Sequence, residues 1–332
     1  MNYKSIFNLL GILLGLFSLS FIPPLVLTFV YSESGREIFL YSFIFLFFLG
    51  GTLWVSTRQK NLPLNISDGF IITTMFWVVL ACAGSIPFYF FGLSIGDSIF
   101  ESVSGITTTG ATTIIGLDTL PKSILLYRQL LQWIGGMGLI ILAVAVMPAL
   151  GIGGGQLYKM ELPGSHGNQK LTPKITDSAK ALWKIYVGLT VLCATLYLIS
   201  GMSLFDSIAH SLSTVAGGGF STHDESIGFF DSGLIETVCI VFMLLSAASF
   251  AVHYAAIFGG KPLKYFYDSE FRFFLSVVLM IILVSLVIHI ISNSYPDVFS
   301  AIGSTVFHVV SIVTTSGFTT ENFSLWPGFL PY

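Results

Sequence analysis

The chain has 332 residues; 54% are hydrophobic and only 9% are charged, with 31 Phe and a mean hydropathy of +0.86. A soluble domain is about a quarter charged, so composition excludes a soluble globular protein and defines an integral membrane one. The net charge of −3 singles out no partner, and nothing in the chain calls for nucleic acid.

A helix needs about 20 apolar residues to cross a bilayer. In chain order the runs that meet this are Ile6–Val30, Glu37–Ser56, Phe70–Phe91, Leu125–Ala149, Ala181–Gly201, Gly233–Phe258 and Phe271–Ser292. The first is too long for a signal-peptide core and lacks a small-residue cleavage site. It reads as a retained span, bent at Pro23-Pro24. Cys82, Cys193 and Cys239 lie far apart within these runs and read as small core residues, with no disulfide or metal spacing.

Alternating the spans from a cytoplasmic N-terminus puts Lys4, Arg58, Lys60, Lys159, Lys170, Lys174, Lys180, Lys184, Lys261, Lys264 and Arg272 inside. Arg36, Lys122 and Arg128 fall outside, a bias that satisfies the positive-inside rule. The acids lean outward, Asp97, Asp118, Asp206, Asp224 and Glu225 among them. Two readings stay open: an acidic mouth that concentrates cations, or ordinary solvation of outer loops.

Between the spans one pattern occurs three times. FESVSGITTTGATT starts at Phe100, AHSLSTVAGGGFST at Ala209 and FHVVSIVTTSGFTT at Phe307. Aligned on Gly110, Gly219 and Gly317, each has a Ser six residues earlier (Ser104, Ser213, Ser311) and a Thr three residues later (Thr113, Thr222, Thr320). The spacing predicts short helices near Ile99–Ile106, Ser207–Thr214 and Thr305–Ile312, too short to cross, which enter from outside and turn back. Irregular backbone at that depth is tolerated only within protein or beside a water-filled cavity. Such half-helices point their partially negative ends at the membrane centre. Rings of backbone carbonyls can replace a cation's hydration shell, and glycine permits the φ/ψ that turns them inward. Oxygen-only ligands suit hard cations.

These residues identify a resemblance. TTTGATTI at Thr107–Ile114, LLQWIGGMG at Leu130–Gly138, QLYKMELPG and KLTPKITDSAKALW between Gln156 and Trp183, AGGGFSTHDESIGFFDS at Ala216–Ser232 and TTSGFTTENFSLWP at Thr314–Pro327 resemble the TrkH/TrkG potassium-uptake subunits of the Trk/Ktr/HKT superfamily. The resemblance implies an all-α membrane protein of tandem helix–pore loop–helix repeats around a pseudo-fourfold pore, after two extra N-terminal helices. It implies potassium uptake rather than enzymatic activity, with no cofactor. The selectivity filter would comprise Thr108, Thr109 and Gly110, then Gly217, Gly218 and Gly219, then Thr315, Ser316 and Gly317. It further implies the inner membrane, a homodimer and a cytosolic nucleotide-binding regulator of TrkA type. The organisation expected is 1–61 N-terminal helices, 62–155 repeat 1, 156–180 a cytoplasmic linker, 181–260 repeat 2 and 261–332 an incomplete repeat 3, with repeat 4 absent. Two alternatives are a truncated, non-conducting subunit and a Na⁺- or H⁺-coupled secondary transporter. Matched re-entrant loops favour a channel-like route over the latter, since coupled carriers more often use unwound helices.

Other features resolve less. Gly151–Gly155 follows a membrane helix rather than a strand, so it reads as a flexible exit and not a phosphate loop. The lysines up to Lys184 suit a cytosolic partner, anionic lipid or plain solvation. Glu101, His210 and His308 share the position nine residues before the aligned Gly. They read either as a polar ring behind the loops or, preferably, as separate hydrogen bonds to nearby backbone. His253 and His289 are expected to face the bundle interior. Gly135, Gly136 and Gly138 suit close packing against the first loop or a generic helix contact.

Overall fold

The computed structural model describes residues 3–58, 66–150 and 175–331. Regular structure among the described residues is helical throughout. Gly151–Gly155, the linker lysines Lys159, Lys170 and Lys174, and Lys60 lie outside the described residues.

The first apolar run forms α1 (Tyr3–Ser18) and α2 (Ile22–Val30), joined by a 3-10 turn at Leu19–Phe21. The bend expected at Pro23-Pro24 is thereby corrected. The prolines sit in the first turn of α2, where an N–H has no helical partner to lose, and the tighter turn precedes them. Against α1 lies α3 (Arg36–Ser56). A Cβ on Gly11 would come 2.8 Å from the Gly50 carbonyl oxygen, and one on Gly50 only 2.6 Å from the Gly15 nitrogen. The two backbones therefore touch. Lipid tails supply no hydrophobic drive between helices, so such small-residue contact is what holds them. Asn8 adds a bond, its Nδ2 donating to the Trp54 carbonyl at 3.0 Å.

Next come α4 (Ile66–Gly84) and α5 (Ile86–Phe91), the short α6 (Ile95–Ile106) and the long α7 (Lys122–Leu150). Glu33, between α2 and α3, accepts from the backbone N–H of Lys122 at 2.7 Å and of Ser123 at 3.1 Å. A carboxylate on free N–H groups at a helix start is favoured by both bonding and dipole, and it ties the N-terminal pair to α7.

The second unit repeats the order: α8 (Ile175–Ile199), the short α9 (Leu204–Ala216), α10 (Gly233–Ala247) and α11 (Phe250–Ile257). The single span expected over Gly233–Phe258 is corrected to two helices. Ala248 and Ser249 are extended, with ψ of 141° and 142°, and buried His253 lies across the break, its Nε2 3.0 Å from the Leu245 carbonyl oxygen. The chain ends in α12 (Lys264–Tyr267), α13 (Ser269–Ile291), α14 (Val298–Val313) and a loop.

Five stretches among the described residues are long and apolar enough to cross a membrane: Tyr3–Val30, Arg36–Ser56, Asp68–Phe91, Lys180–Ile199 and Ser269–Ile291. Phe48, Val55, Phe273 and Ile291 are exposed on them, which hydrocarbon surroundings permit. Cys193 and Cys239 are buried as expected, whereas Cys82 is exposed on α4. Inside, α6 packs between α4 and α7, and α9 between α7 and α8. The first two half-helices thus lie between longer ones, while α14 packs against α13 and α10.

Candidate functional site: three re-entrant loops

The half-helices α6, α9 and α14 run 12, 13 and 16 residues, about 18–24 Å at ~1.5 Å per residue and short of the ~30 Å core. They begin earlier than the sequence pattern indicated, because each is opened by a side-chain cap. Ser94 accepts from Asp97 N, Ser203 from Asp206 N and Asp297 from Ser300 N. In the first two the Ser hydroxyl also donates to the Asp carboxylate, at 2.6 Å in both. The third inverts Ser-x-x-Asp into Asp-x-x-Ser and begins about one turn earlier.

The three loops share one backbone. Two residues before each aligned glycine, Thr108, Gly217 and Thr315 are left-handed, with φ of 55°, 70° and 61°. Gly110, Gly219 and Gly317 are left-handed again, at 79°, 73° and 79°. Between them Thr109, Gly218 and Ser316 each donate an N–H to the carbonyl of the serine of their own half-helix, at 2.9, 3.0 and 2.9 Å. Left-handed φ at a threonine is uncommon and persists only where its surroundings impose it. Two such threonines at equivalent positions mark a common constraint.

The loops also touch one another in order. A Cβ on Gly110 would lie 2.0 Å from the Gly218 carbonyl oxygen, and one on Gly219 would lie 1.7 Å from that of Ser316. Each glycine thus abuts the residue before the glycine of the next loop. At Gly317 a Cβ would meet nothing within 4 Å among the described residues. All nine residues named from the sequence are therefore in one contiguous arrangement, with the second loop between the first and third.

Behind the loops the serines and the position-nine residues act as braces. Ser104 and Ser311 donate to the carbonyls of Ala111 and Phe318, one residue past the glycine. Glu101 accepts from Thr112 Oγ1 and from the backbone N–H of Thr113. His210 Nδ1 bonds the Asp206 carbonyl, so Nε2 accepts from Ser221 Oγ at 2.9 Å. His308 does likewise, Nδ1 to the Ser304 carbonyl and Nε2 accepting from Thr320 N. Each therefore makes its own bonds, as preferred, and all three do so at the same place, the strand leaving the glycine.

Two braces on α7 escaped the sequence pattern. Buried Arg128 pairs with Glu101 at 3.2 Å, donates to Thr112 Oγ1 at 2.9 Å and to the Ser221 carbonyl at 3.3 Å, and covers the Phe220 ring at 4.3 Å. Glu101 thereby receives its counter-ion, as a buried carboxylate requires. Gln132 accepts from Ser213 Oγ and Phe220 N and donates to the Gly218 carbonyl at 2.5 Å. A Cβ on Gly218 would fall 2.4 Å from its amide carbon. The other two loops instead pair hydroxyls, Thr107 with Thr109 and Thr314 with Ser316. The available signal was polarity alone: Arg128, Gln129 and Gln132 inside an apolar helix. Gly135 does bring α7 against the first loop, since its Cβ would sit 1.9 Å from the Ile106 carbonyl oxygen, while Gly136 abuts Ala216 at the end of α9.

On the face where the half-helices begin, the loops are latched. Asp224 accepts from Gly116 N at 3.0 Å, and Ser226 Oγ accepts from Thr319 N at 3.2 Å. His223 stacks on Phe229 with centroids 3.5 Å apart and bridges Asp118 through Nδ1 and Asp206 through Nε2, the latter at 3.5 Å. Its hydrogen bond to His223 holds the Asp118 carboxyl below the usual range. Partial burial opposes protonation of His223, but the two carboxylates outweigh it and raise its pKa.

Long helices beside repeated half-helices and left-handed loops define the class: a multi-pass helical membrane transport protein. The family model described as cation transport protein, TrkH, matches residues 35–330. The TrkH potassium uptake protein of Vibrio parahaemolyticus is 46% identical across all of this chain and 69% of that relative. TrkG of Escherichia coli is 41% identical over 98% of the chain and 68% of its own length. The crystal structure of the potassium transporter TrkH from Vibrio parahaemolyticus superposes with a TM-score of 0.88 at 44% identity, covering 100% of this chain and 68% of that one. The chain belongs to the TrkH family of cation transport proteins, which are not enzymes.

Proposed function

We propose that the protein is a potassium-uptake subunit whose ion path runs along the three loops, with backbone carbonyls at Thr108–Gly110, Gly217–Gly219 and Thr315–Gly317 as ligands. The observation that carries this is the threefold recurrence of left-handed residues two apart, abutting loop to loop. Alternate left-handed residues turn successive carbonyls to one side, and stacked carbonyls can stand in for the water around K⁺. The relatives named as Trk system potassium uptake proteins agree with that cargo. Hydroxyl and carbonyl oxygens are the only ligand atoms on these loops, which suits a hard monovalent cation. The same reading expects an inner-membrane protein with the lysine-rich side in the cytoplasm, facing a TrkA-type regulator, and a homodimer.

The test exchanges residues 1–332 for the matching segment of Vibrio parahaemolyticus TrkH and expresses the chimera in a bacterium lacking potassium uptake. Growth at low K⁺, with rubidium uptake that K⁺ inhibits and Na⁺ does not, is expected. A chimera that reaches the membrane but moves neither ion, or moves Na⁺ equally, overturns the reading.

A further inference from the structure

Away from the loops, a cavity of about 630 Å³ lies between the N-terminal helices, α4, α7 and α8. Its floor is buried and apolar, formed by Leu13, Phe17, Phe76 and Leu80, and its rim carries exposed Leu16 and Trp183. It therefore opens on the lipid-facing side. Ser20, Lys180 and a wall of apolar side chains complete the lining.

Its length follows from contacts between the helices. The Phe21 ring meets Tyr127 at 5.6 Å, which sets the Ser20 end level with the first turns of α7. Trp133, further along α7, donates to Thr190 at 3.1 Å. Lys180 precedes Thr190 by nearly three turns of α8. At ~1.5 Å per residue the Ser20 and Lys180 ends stand on the order of 20 Å apart, and a lipid tail spans about 15 Å, half of the ~30 Å core. Lys180 and Lys184 lie one turn apart, make no ion pair among the described residues, and flank Trp183. They belong to the lysine-rich side, which the positive-inside rule places in the cytoplasm.

We propose that this slot seats an acyl chain of an anionic phospholipid from the cytoplasmic leaflet, with the headgroup phosphate on Lys180. The apolar walls match the tail, and the lysine at one end, without a counter-ion among the described residues, matches the phosphate. A second copy of the chain fits less well, because a two-fold contact centred here would set Lys180 and Lys184 against their own counterparts.

Trp133 and Trp183 line the slot, so bromine in a seated tail quenches them. The purified chain in detergent is titrated with brominated phosphatidylglycerol or brominated phosphatidylcholine. The anionic lipid should quench at about fivefold lower concentration, the factor that about 1 kcal/mol per basic side chain supplies. Lys180→Gln should remove that preference and leave phosphatidylcholine quenching as it was. Ser20 Oγ has no hydrogen-bond partner among the described residues, so Ser20→Leu deletes no bond there, narrows the slot and should weaken quenching by both lipids. Equal quenching by both lipids, or a preference that survives Lys180→Gln, overturns the proposal. So does quenching by neither lipid together with a change of oligomeric state in Ser20→Leu, which would make a second copy the occupant.

Discussion

At Gly110 backbone geometry and neighbour distance act together. Its φ is 79°, and an added Cβ would collide with the Gly218 carbonyl oxygen at 2.0 Å. Gly110→Ser must either flip that residue or push the second loop outward, and both move carbonyls of the proposed ion path. Strain of about 1–3 kcal/mol, if expressed wholly in discrimination, corresponds to a factor between about 5 and about 150 in selectivity. The K⁺ over Na⁺ ratio in the chimera, read from rubidium and sodium uptake, is expected to fall by about that factor; an unchanged ratio removes Gly110 from the path. His223 carries a different prediction. Its pKa is raised, so its contribution to the latch is complete below the ordinary histidine value of 6.5 and is lost as pH rises through the folded value. Asp118 is lowered, so its share is present above the ordinary Asp value and is lost only in acid. Thermal stability should therefore decline as pH rises above about 6.5 and through the raised value of His223, and His223→Gln should flatten that decline. A variant with the same slope as wild type would refute the latch. The glycines were legible because loop backbone demands them at a fixed register. Arg128 and Gln132 were not, because they sit on a helix outside the repeated register and only the third dimension brings them to Glu101 and Gly218.

For the elements, legibility followed length and composition. Long apolar runs reappear as helices within a few residues, since hydrocarbon leaves the backbone no other partner than itself. The half-helices were found by their ends and misjudged at their starts, because the Ser94, Ser203 and Asp297 caps lie outside the window that repeats most clearly. The interruption at Ala248-Ser249 left no mark in hydropathy, as both residues are small and their neighbours apolar. It becomes visible only through ψ and the His253 bond to Leu245. The contact of α1 with α3 gives the prediction at this scale. Gly50 has no room for even one methyl, its would-be Cβ being 2.6 Å from Gly15 N and 2.7 Å from Gly11 O. Gly50→Val must push the two backbones apart along a lipid-facing pair, and overpacking of this kind costs about 1–3 kcal/mol. Gly51, with nothing within 4 Å of its Cβ, is the control. A lower melting temperature for Gly50→Val than for Gly51→Val in the same detergent is expected; equal values would mean that the pair is not held by backbone contact.

On the scale of the whole molecule, one orientation must satisfy charge, loops and latch together. The latch residues Asp118, His223 and Asp224 lie where the loops leave the glycines, on the face where α6, α9 and α14 begin. Half-helices that start there direct their partially negative ends into the protein, the sense that favours a cation below the mouth. The opposite face carries Arg58, Lys180, Lys184 and Lys264, and lysine-rich loops stay in the cytoplasm. The two criteria are independent, one from dipoles and one from insertion, and both support the outward mouth that the proposed function expects. Glu225 and Arg58 are both exposed, so a thiol at either site is reachable from its own side. Glu225→Cys in intact cells should react with an impermeant maleimide, and Arg58→Cys should react only after the membrane is opened. Lys122, on the mouth side despite its charge, is held over the Tyr31 ring at 4.1 Å, so one basic residue there does not upset the balance. The reverse labelling pattern would turn the half-helices to face the cytoplasm. Their negative ends would then meet cations arriving from within, and uptake through these loops would lose its physical basis.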